Sequence, residues 1–358
     1  MTFSTEKYSL PQKRYKMPSK REQFIRLDLN ESYGLINDDF LAKLKDFSVF
    51  TVGCYPEYEE LLDLLANYTG VSTKNIFLTG GSDRAIDLLF KLLFREGDKV
   101  IMPSPNFAFY NYRAQFSPIQ LVEIPYRDNE TSFEFPFEET KQALPGAKAL
   151  LLCNPNNPLG AAMDESQLNE LIATCDDQGI PVILDEAYFG FYPHSHVQDI
   201  LKHKNLIVLR TFSKFFGMAG LRIGYMLADE SIVGEIIKLR GPWELSHFST
   251  YAATTALKNL HYFEEQWKKF AERKAAMEKF LRKEGISVYP SKANFFLFKT
   301  ENSANFLEAM RDHGILINDL SHHPANLPYL ANAVRMAVPS EQDMKKVQEA
   351  IHQTVLQL

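Results

Sequence analysis

Five short apolar runs divide the middle of the chain, at residues 76–78, 99–102, 147–153, 181–184 and 206–209. Longer segments patterned like helices separate them, 82–94 being the most apolar. Runs this short and this apolar read as buried strands. Strands that alternate with helices build a largely parallel sheet, because each parallel pair needs a crossover. The sequence therefore predicts an α/β fold, with a large domain whose mostly parallel, mixed sheet is sandwiched by helices. After about residue 250 the pattern changes. A helical stretch at 262–284 is followed by strand-like runs at 295–298 and 333–338, which predicts a smaller α+β domain. The expected divisions are an N-terminal arm and interface segment at 1–40, a large domain at 41–250 and a small one at 251–358. The arm is expected to pack on the small domain or to cross to a neighbouring subunit.

Composition narrows the function classes. The chain has 358 residues, 45% of them hydrophobic, enough for two cores. Its net charge of −6 comes from intermixed charges of both signs, which argues against a polyanion-binding surface and so against nucleic acid. Cys54, Cys153 and Cys175 are scattered and odd in number, which argues against a disulfide framework or a zinc site and fits a reducing cytoplasm. No apolar run is long enough to cross a membrane. Residues 1–21 carry Lys7, Lys13, Arg14, Lys16, Lys20 and Arg21 without an apolar signal core, which reads as a basic arm, with a transit peptide as the weaker alternative.

The polar residues just past the strands carry the chemistry. Ligands of open α/β sheets bind at the carboxyl ends of strands. Past the last run come Thr211-Phe212-Ser213-Lys214, then Gly217, Gly220 and Arg222. A lysine among hydroxyls, with an arginine eight residues on, suits a carbonyl cofactor that also bears a phosphate. The amine takes the carbonyl, and the hydroxyls and guanidinium take the phosphate. Asp185 ends the run at 181–184, where a carboxylate needs a partner unless it caps a helix. Its neighbour Glu186 is the second acid. Gly80-Gly81-Ser82-Asp83 opens an apolar helix, whose first N–H groups suit an anion or are simply capped by these side chains. Asn154-Pro155-Asn156-Asn157-Pro158 is a turn on any reading.

These segments resemble the fold-type I pyridoxal-phosphate (PLP) enzymes, and within them the histidinol-phosphate aminotransferases. The resemblance runs from Leu29-Asn30-Glu31 to Arg335. It implies that Lys214 is the Schiff-base lysine and moves the substrate proton, that Asp185 pairs with the pyridine nitrogen, and that Asn157 and Tyr188 bond the cofactor's phenolic oxygen. Ser82 and Asp83 give backbone N–H groups to the phosphate, and Thr211, Ser213 and Arg222 complete its cup. Tyr110 stacks on the ring, with Phe107 and Phe109 as competitors. Tyr55 reaches the phosphate in the partner subunit of a homodimer. Arg335 clamps a substrate anion, and Asn30 and Trp243 line the substrate side. The implied activity is a ping-pong aminotransferase acting on histidinol phosphate or a related or aromatic amino acid, with 2-oxoglutarate as acceptor, in histidine biosynthesis. A threonine-phosphate decarboxylase-like enzyme is the alternative, and a catalytically idle PLP-fold binding protein a third possibility. The chain departs from the family at several places. Leu159 stands for a hydroxyl, Arg84 for an acid, and Asn318 for an arginine that binds substrate phosphate. Pro242-Trp243-Glu244-Leu245 replaces Pro-Tyr-Asn-Val. His322 and His323 lie close to Asn318.

Overall fold

A computed structural model describes residues 20–45 and 47–357 of the chain. The basic residues Lys7, Lys13, Arg14 and Lys16 lie outside the described residues. A seven-stranded sheet forms the centre, in the spatial order Ile76–Thr79, Gly224–Leu227, Leu206–Thr211, Val182–Asp185, Ala149–Cys153, Lys99–Ser104 and Gln120–Pro125. Gly224–Leu227 runs antiparallel to both its neighbours, and the other neighbouring strands pair in parallel. The sheet is thus mixed but mostly parallel, as its apolar runs predict.

Both faces of this sheet are covered. Leu150, Leu152, Leu184 and Val208 enter one core, while Ala149, Leu151, Ile183 and Leu209 enter another. Successive strand residues point to opposite faces, so a strand apolar at every position is one buried on both sides. The strand at 99 differs from expectation by continuing through Pro103 to Ser104. Lys99 bonds the 149–153 side and Asp98 the 120–125 side, so Pro103 faces the former, where pairing has already ended at Ile101. Its missing N–H therefore costs no ladder bond.

A second, four-stranded sheet is ordered Val288–Tyr289, Phe295–Lys299, Ala333–Ala337 and Asn318–Asp319. It has its own core of Phe296, Phe298, Val334, Met336 and neighbours. The helix Leu260–Lys283 serves both units, placing Phe263 in the main core and Phe270, Met277 and Leu281 in the smaller one. The early segment joins the small unit. Ile25 and Arg26 pair in parallel with Ile315 and Leu316, and Leu27 and Leu35 are buried in its core. Arg21 belongs to this packed segment, ion-paired with Asp28 at 2.5 Å and Glu31 at 2.7 Å.

Candidate active site

The segments singled out by sequence meet where the carboxyl ends of the large sheet face the small one. Lys214 lies three residues past the end of Leu206–Thr211. Its Nζ donates to the carbonyls of Leu29 at 2.8 Å and Asn30 at 3.0 Å. Asn30 offers that carbonyl from a left-handed backbone, φ +54, a conformation asparagine adopts more readily than most residues. Its side chain donates to the Tyr188 hydroxyl at 2.8 Å. Asn294 Nδ2 holds the arrangement by donating to Asn30 O at 3.0 Å and Ser32 Oγ at 2.8 Å. Burial pushes the Lys214 amine down to about 7, and the Arg335 and Arg222 charges act in the same direction.

Asp185 ends its strand with 1% exposure, and its Oδ1 accepts from the Ala187 N–H at 3.0 Å. Burial is the main reason its carboxyl rises to about 7. Glu186 points elsewhere: it accepts from Arg210 Nη2 at 2.9 Å and Nε at 3.1 Å, and from the His196 N–H at 2.8 Å. The two adjacent acids thus separate by strand alternation, one into the cleft and one into a buried ion pair. Tyr110 is enclosed against Phe90 and Phe107, and its hydroxyl is buried without a hydrogen-bond partner. Among the three candidate aromatics it is the fully buried one, and the Asp185 charge helps hold its phenol in the protonated form.

The proposed anion cup assembles at the start of the helix Ser82–Leu93. Arg222 Nη2 donates to Asp83 Oδ1 at 2.6 Å, and its Nη1 reaches Ser213 Oγ at 3.4 Å and Ala219 O at 3.3 Å. Thr211 Oγ1 lies 2.9 Å from Ser213 Oγ and accepts from the Ser213 N–H at 3.1 Å, so it braces Ser213. Two glycines make the close approach possible. A Cβ on Gly224 would sit 2.6 Å from the Ser82 nitrogen, and one on Gly81 would sit 2.4 Å from Arg222 Nη2. Gly81 also has φ +95, which a side chain would strain.

Arg335 crosses from the small sheet, donating to Asn157 Oδ1 at 2.6 Å and Asp28 O at 2.8 Å. Asn157 and Tyr188, expected to share one ligand atom, are bonded here to Arg335 and Asn30 respectively. Asn318 sits opposite Arg335 in the small sheet. His323 does not replace the missing arginine. Its Nδ1 accepts from the Ala325 N–H at 3.2 Å, its Nε2 donates to Asn106 O at 3.0 Å, and burial pushes it down to about 4. It is therefore a neutral, fixed imidazole. Leu159 is buried in the main core. Tyr55 and Trp243 stack face to face, ring centroids 3.7 Å apart, on an exposed surface. Among the described residues no cluster of three or more His, Cys, Asp or Glu side chains could hold a metal, and no helix is long and apolar enough to cross a membrane.

Sequence reasoning did not find the Leu29 carbonyl, Ser32 or Asn294, which act through backbone conformation or from a distant segment. Nor did it find the partner of Arg84. Its Nε and Nη2 each lie 3.1 Å from a Glu244 oxygen, so two of the departures from the family pattern touch each other.

Comparison with known proteins places the chain in a family and a fold. The family model of aminotransferase class I and II matches residues 1–352. The histidinol-phosphate aminotransferase of Caldanaerobacter subterraneus subsp. tengcongensis is 34% identical over 318 residues, 88% of each chain. The solved histidinol-phosphate aminotransferase of Sinorhizobium meliloti, in complex with pyridoxal-5'-phosphate, superposes with a TM-score of 0.83 at 25% identity, over 97% of this chain and 96% of that one. The L-threonine-O-3-phosphate decarboxylase of Porphyromonas gingivalis shares the fold, with a TM-score of 0.75 at 23% identity, over 93% of this chain and all of that one.

Proposed function

The chain belongs to the class I and II aminotransferases, and from that premise we propose that it is a PLP enzyme. It transfers an amino group from histidinol phosphate, or a related or aromatic amino acid, to a 2-oxo acid such as 2-oxoglutarate. The observation that carries this is the pair of groups in one cleft, Lys214 with its amine pushed down to about 7 and Asp185 with its carboxyl pushed up to about 7. A buried amine with a lowered pKa suits carbonyl attachment and proton transfer near neutral pH, and a buried carboxyl suits a cationic partner.

Three observations support the fit of PLP to these residues. Asp185 is a buried carboxyl, which a cationic ring nitrogen would stabilise. Gly81 and Gly224 let the Ser82 nitrogen and Arg222 approach closely enough to converge on one anion, which a Cβ at either position would prevent. The Tyr110 hydroxyl is buried without a partner. When bound, PLP supplies a carbonyl carbon for the amino group and a ring that spreads negative charge away from the substrate carbon.

The chain's own residues do the rest. Lys214 would hold the cofactor and, with its Nζ, carry the proton to and from the substrate carbon. Asp185 would pair with the ring nitrogen, and Tyr110 would support the ring. Tyr188 and Asn157 would hold the phenolic oxygen. The Ser82 and Asp83 N–H groups, Ser213 Oγ and Arg222 would hold the phosphate, with Thr211 bracing Ser213. Arg335 would take a substrate anion, with Asn30 and Trp243 on the substrate side. The donor's oxo product leaves before the acceptor enters. The enzyme acts as a cytoplasmic homodimer in histidine biosynthesis, with Tyr55 lent to the partner's site. Supporting the dimer, Val49, Phe50, Val52, Tyr55 and Trp243 form an exposed apolar set.

The test is glutamate formation by purified enzyme given PLP, 2-oxoglutarate and, in turn, histidinol phosphate and the aromatic amino acids. Turnover with one donor, lost in Lys214→Ala, is expected. Turnover retained in Lys214→Ala overturns the assignment, and carbon dioxide release without glutamate moves it to the decarboxylase alternative.

A further inference from the structure

Arg84 and Glu244 form a two-pronged ion pair, Nε to Oε2 and Nη2 to Oε1, both at 3.1 Å. Arg84 lies in the first turn of Ser82–Leu93, the helix whose start forms the anion cup. Glu244 lies on the loop at 241–245, and its side chain is only 6% exposed against 32% for Arg84. Arg84 also donates Nη1 to Asp87 Oδ2 at 2.9 Å, one turn along the same helix. The guanidinium is thus committed to two carboxylates and is not itself a phosphate ligand.

The loop is fixed on both sides of Glu244. Trp243 lies flat on Tyr55. The Tyr58 hydroxyl donates to Leu245 O and accepts from the Leu245 N–H, both at 3.0 Å. Between these anchors the backbone packs against the turn that opens the cup, since a Cβ built on Gly80 would lie 3.5 Å from Glu244 O. Gly80 and Gly81 are the part of that cup with the most backbone freedom to lose, and Gly81 has a φ of +95. A turn with two consecutive glycines loses more freedom on ordering than any other dipeptide. Whatever orders it before the ligand arrives raises affinity without touching the ligand.

We propose that Arg84 and Glu244 are a positioning pair, which clamps the loop at 241–245 over the Gly80-Gly81-Ser82 turn and presets that turn for the cofactor's phosphate. Loss of Arg84 would leave the Glu244 carboxylate, 6% exposed, without its partner, whereas loss of Glu244 would leave Arg84 paired only with Asp87 and the loop unclamped. This inference rests on the PLP assignment above.

The test is a cycle of Arg84→Met, Glu244→Met and the double variant. Cofactor-stripped protein is titrated with PLP, the dissociation constant is read from quenching of tryptophan fluorescence, and a thermal melt is recorded for each variant. The clamp works as a unit, so each single variant should bind PLP about tenfold more weakly, and the double variant no more weakly than either single. A fall in melting temperature with an unchanged dissociation constant makes the pair merely structural and overturns the inference. So does a double variant weakened by the product of the two single effects, about a hundredfold. Wild-type protein that takes up no PLP overturns the cofactor assignment and this inference with it. Wild type that binds, with single variants that bind equally well, overturns this inference alone.

Discussion

Arg335 Nη1 donates to Asn157 Oδ1 across 2.6 Å, so one guanidinium from the small sheet touches a loop at the end of the large one. The same guanidinium reaches Asp28 O with Nη2, which fixes the plane of the fork. A lysine keeps the charge but loses that geometry. Arg335→Lys should raise KM for the amino donor by on the order of tenfold to a hundredfold, the worth of a charge-assisted hydrogen bond. PLP uptake should stay close to wild type. Initial rates across donor concentrations check this, and an unchanged KM would show that the donor's anion is read elsewhere.

Asp185 gives the cofactor-free protein a defined response to pH. Burial lifts its carboxyl from 3.8 to about 7 in the folded chain. The folded state then keeps a proton that the unfolded state releases. The group's contribution to stability is full below about pH 4 and is lost as pH rises through about 7. Asp185→Asn removes this dependence. The variant should melt above wild type at about pH 8, and the gap should close by about pH 4. Melting curves of cofactor-free protein across that range decide it, and a gap independent of pH would contradict the assigned shift.

The neighbouring acid responds differently. Glu186 and Arg210 are 3% and 5% exposed, and Glu186 also accepts from Ser195 Oγ at 2.9 Å. Removing one member leaves a buried charge. Glu186→Ala should therefore destabilise the fold by about 3–5 kcal/mol. Denaturant unfolding measures this, and a loss below about 1 kcal/mol would mean that water reaches Arg210.

Val49, Phe50 and Val52 are 79%, 64% and 78% exposed on one short helix, Val49–Gly53. Such a set on a monomer is unusual, and a second copy of the chain is the proposed cover. Phe50→Asp should shift sedimentation from dimer to monomer mass while leaving the far-ultraviolet circular dichroism unchanged. A wild-type protein that already sediments as a monomer would refute the proposed dimer.

Five of the seven central strands were legible because their middles are apolar on both faces, as burial between two layers requires. Gln120–Pro125, an edge strand carrying Gln120 and Glu123, and Gly224–Leu227 were not. Lys214, Asp185 and Arg222 could be singled out because they stand at or past the ends of strands, where open α/β sheets bind ligands. What remained hidden acts across sequence distance. Asn294 lies 264 residues from the Asn30 carbonyl it holds, and no local pattern marks such a pair. Arg84 and Glu244, 160 residues apart, looked like two unrelated departures until the fold brought them together. His323 sits next to His322 in a polar stretch, which hides its burial, so only its two backbone contacts identify it as neutral. Pro103 suggested the end of a strand, because sequence does not reveal on which side a ladder has already stopped.

The segment from Ile25 to Asn30 has its partners far downstream. Asn30 waits for Tyr188, Lys214 and Asn294, and the Asp28 carbonyl for Arg335, 307 residues later. At a translation rate of about 5–20 residues per second, that interval lasts roughly 15–60 s. When the last strand of the large sheet has been made, Ile25 still lacks Ile315, the Asn30 carbonyl still lacks Asn294 and the Asp28 carbonyl still lacks Arg335. The earliest of the described residues to be made are thus among the last to be placed, and the nascent chain has no finished cleft until its final strand leaves the ribosome.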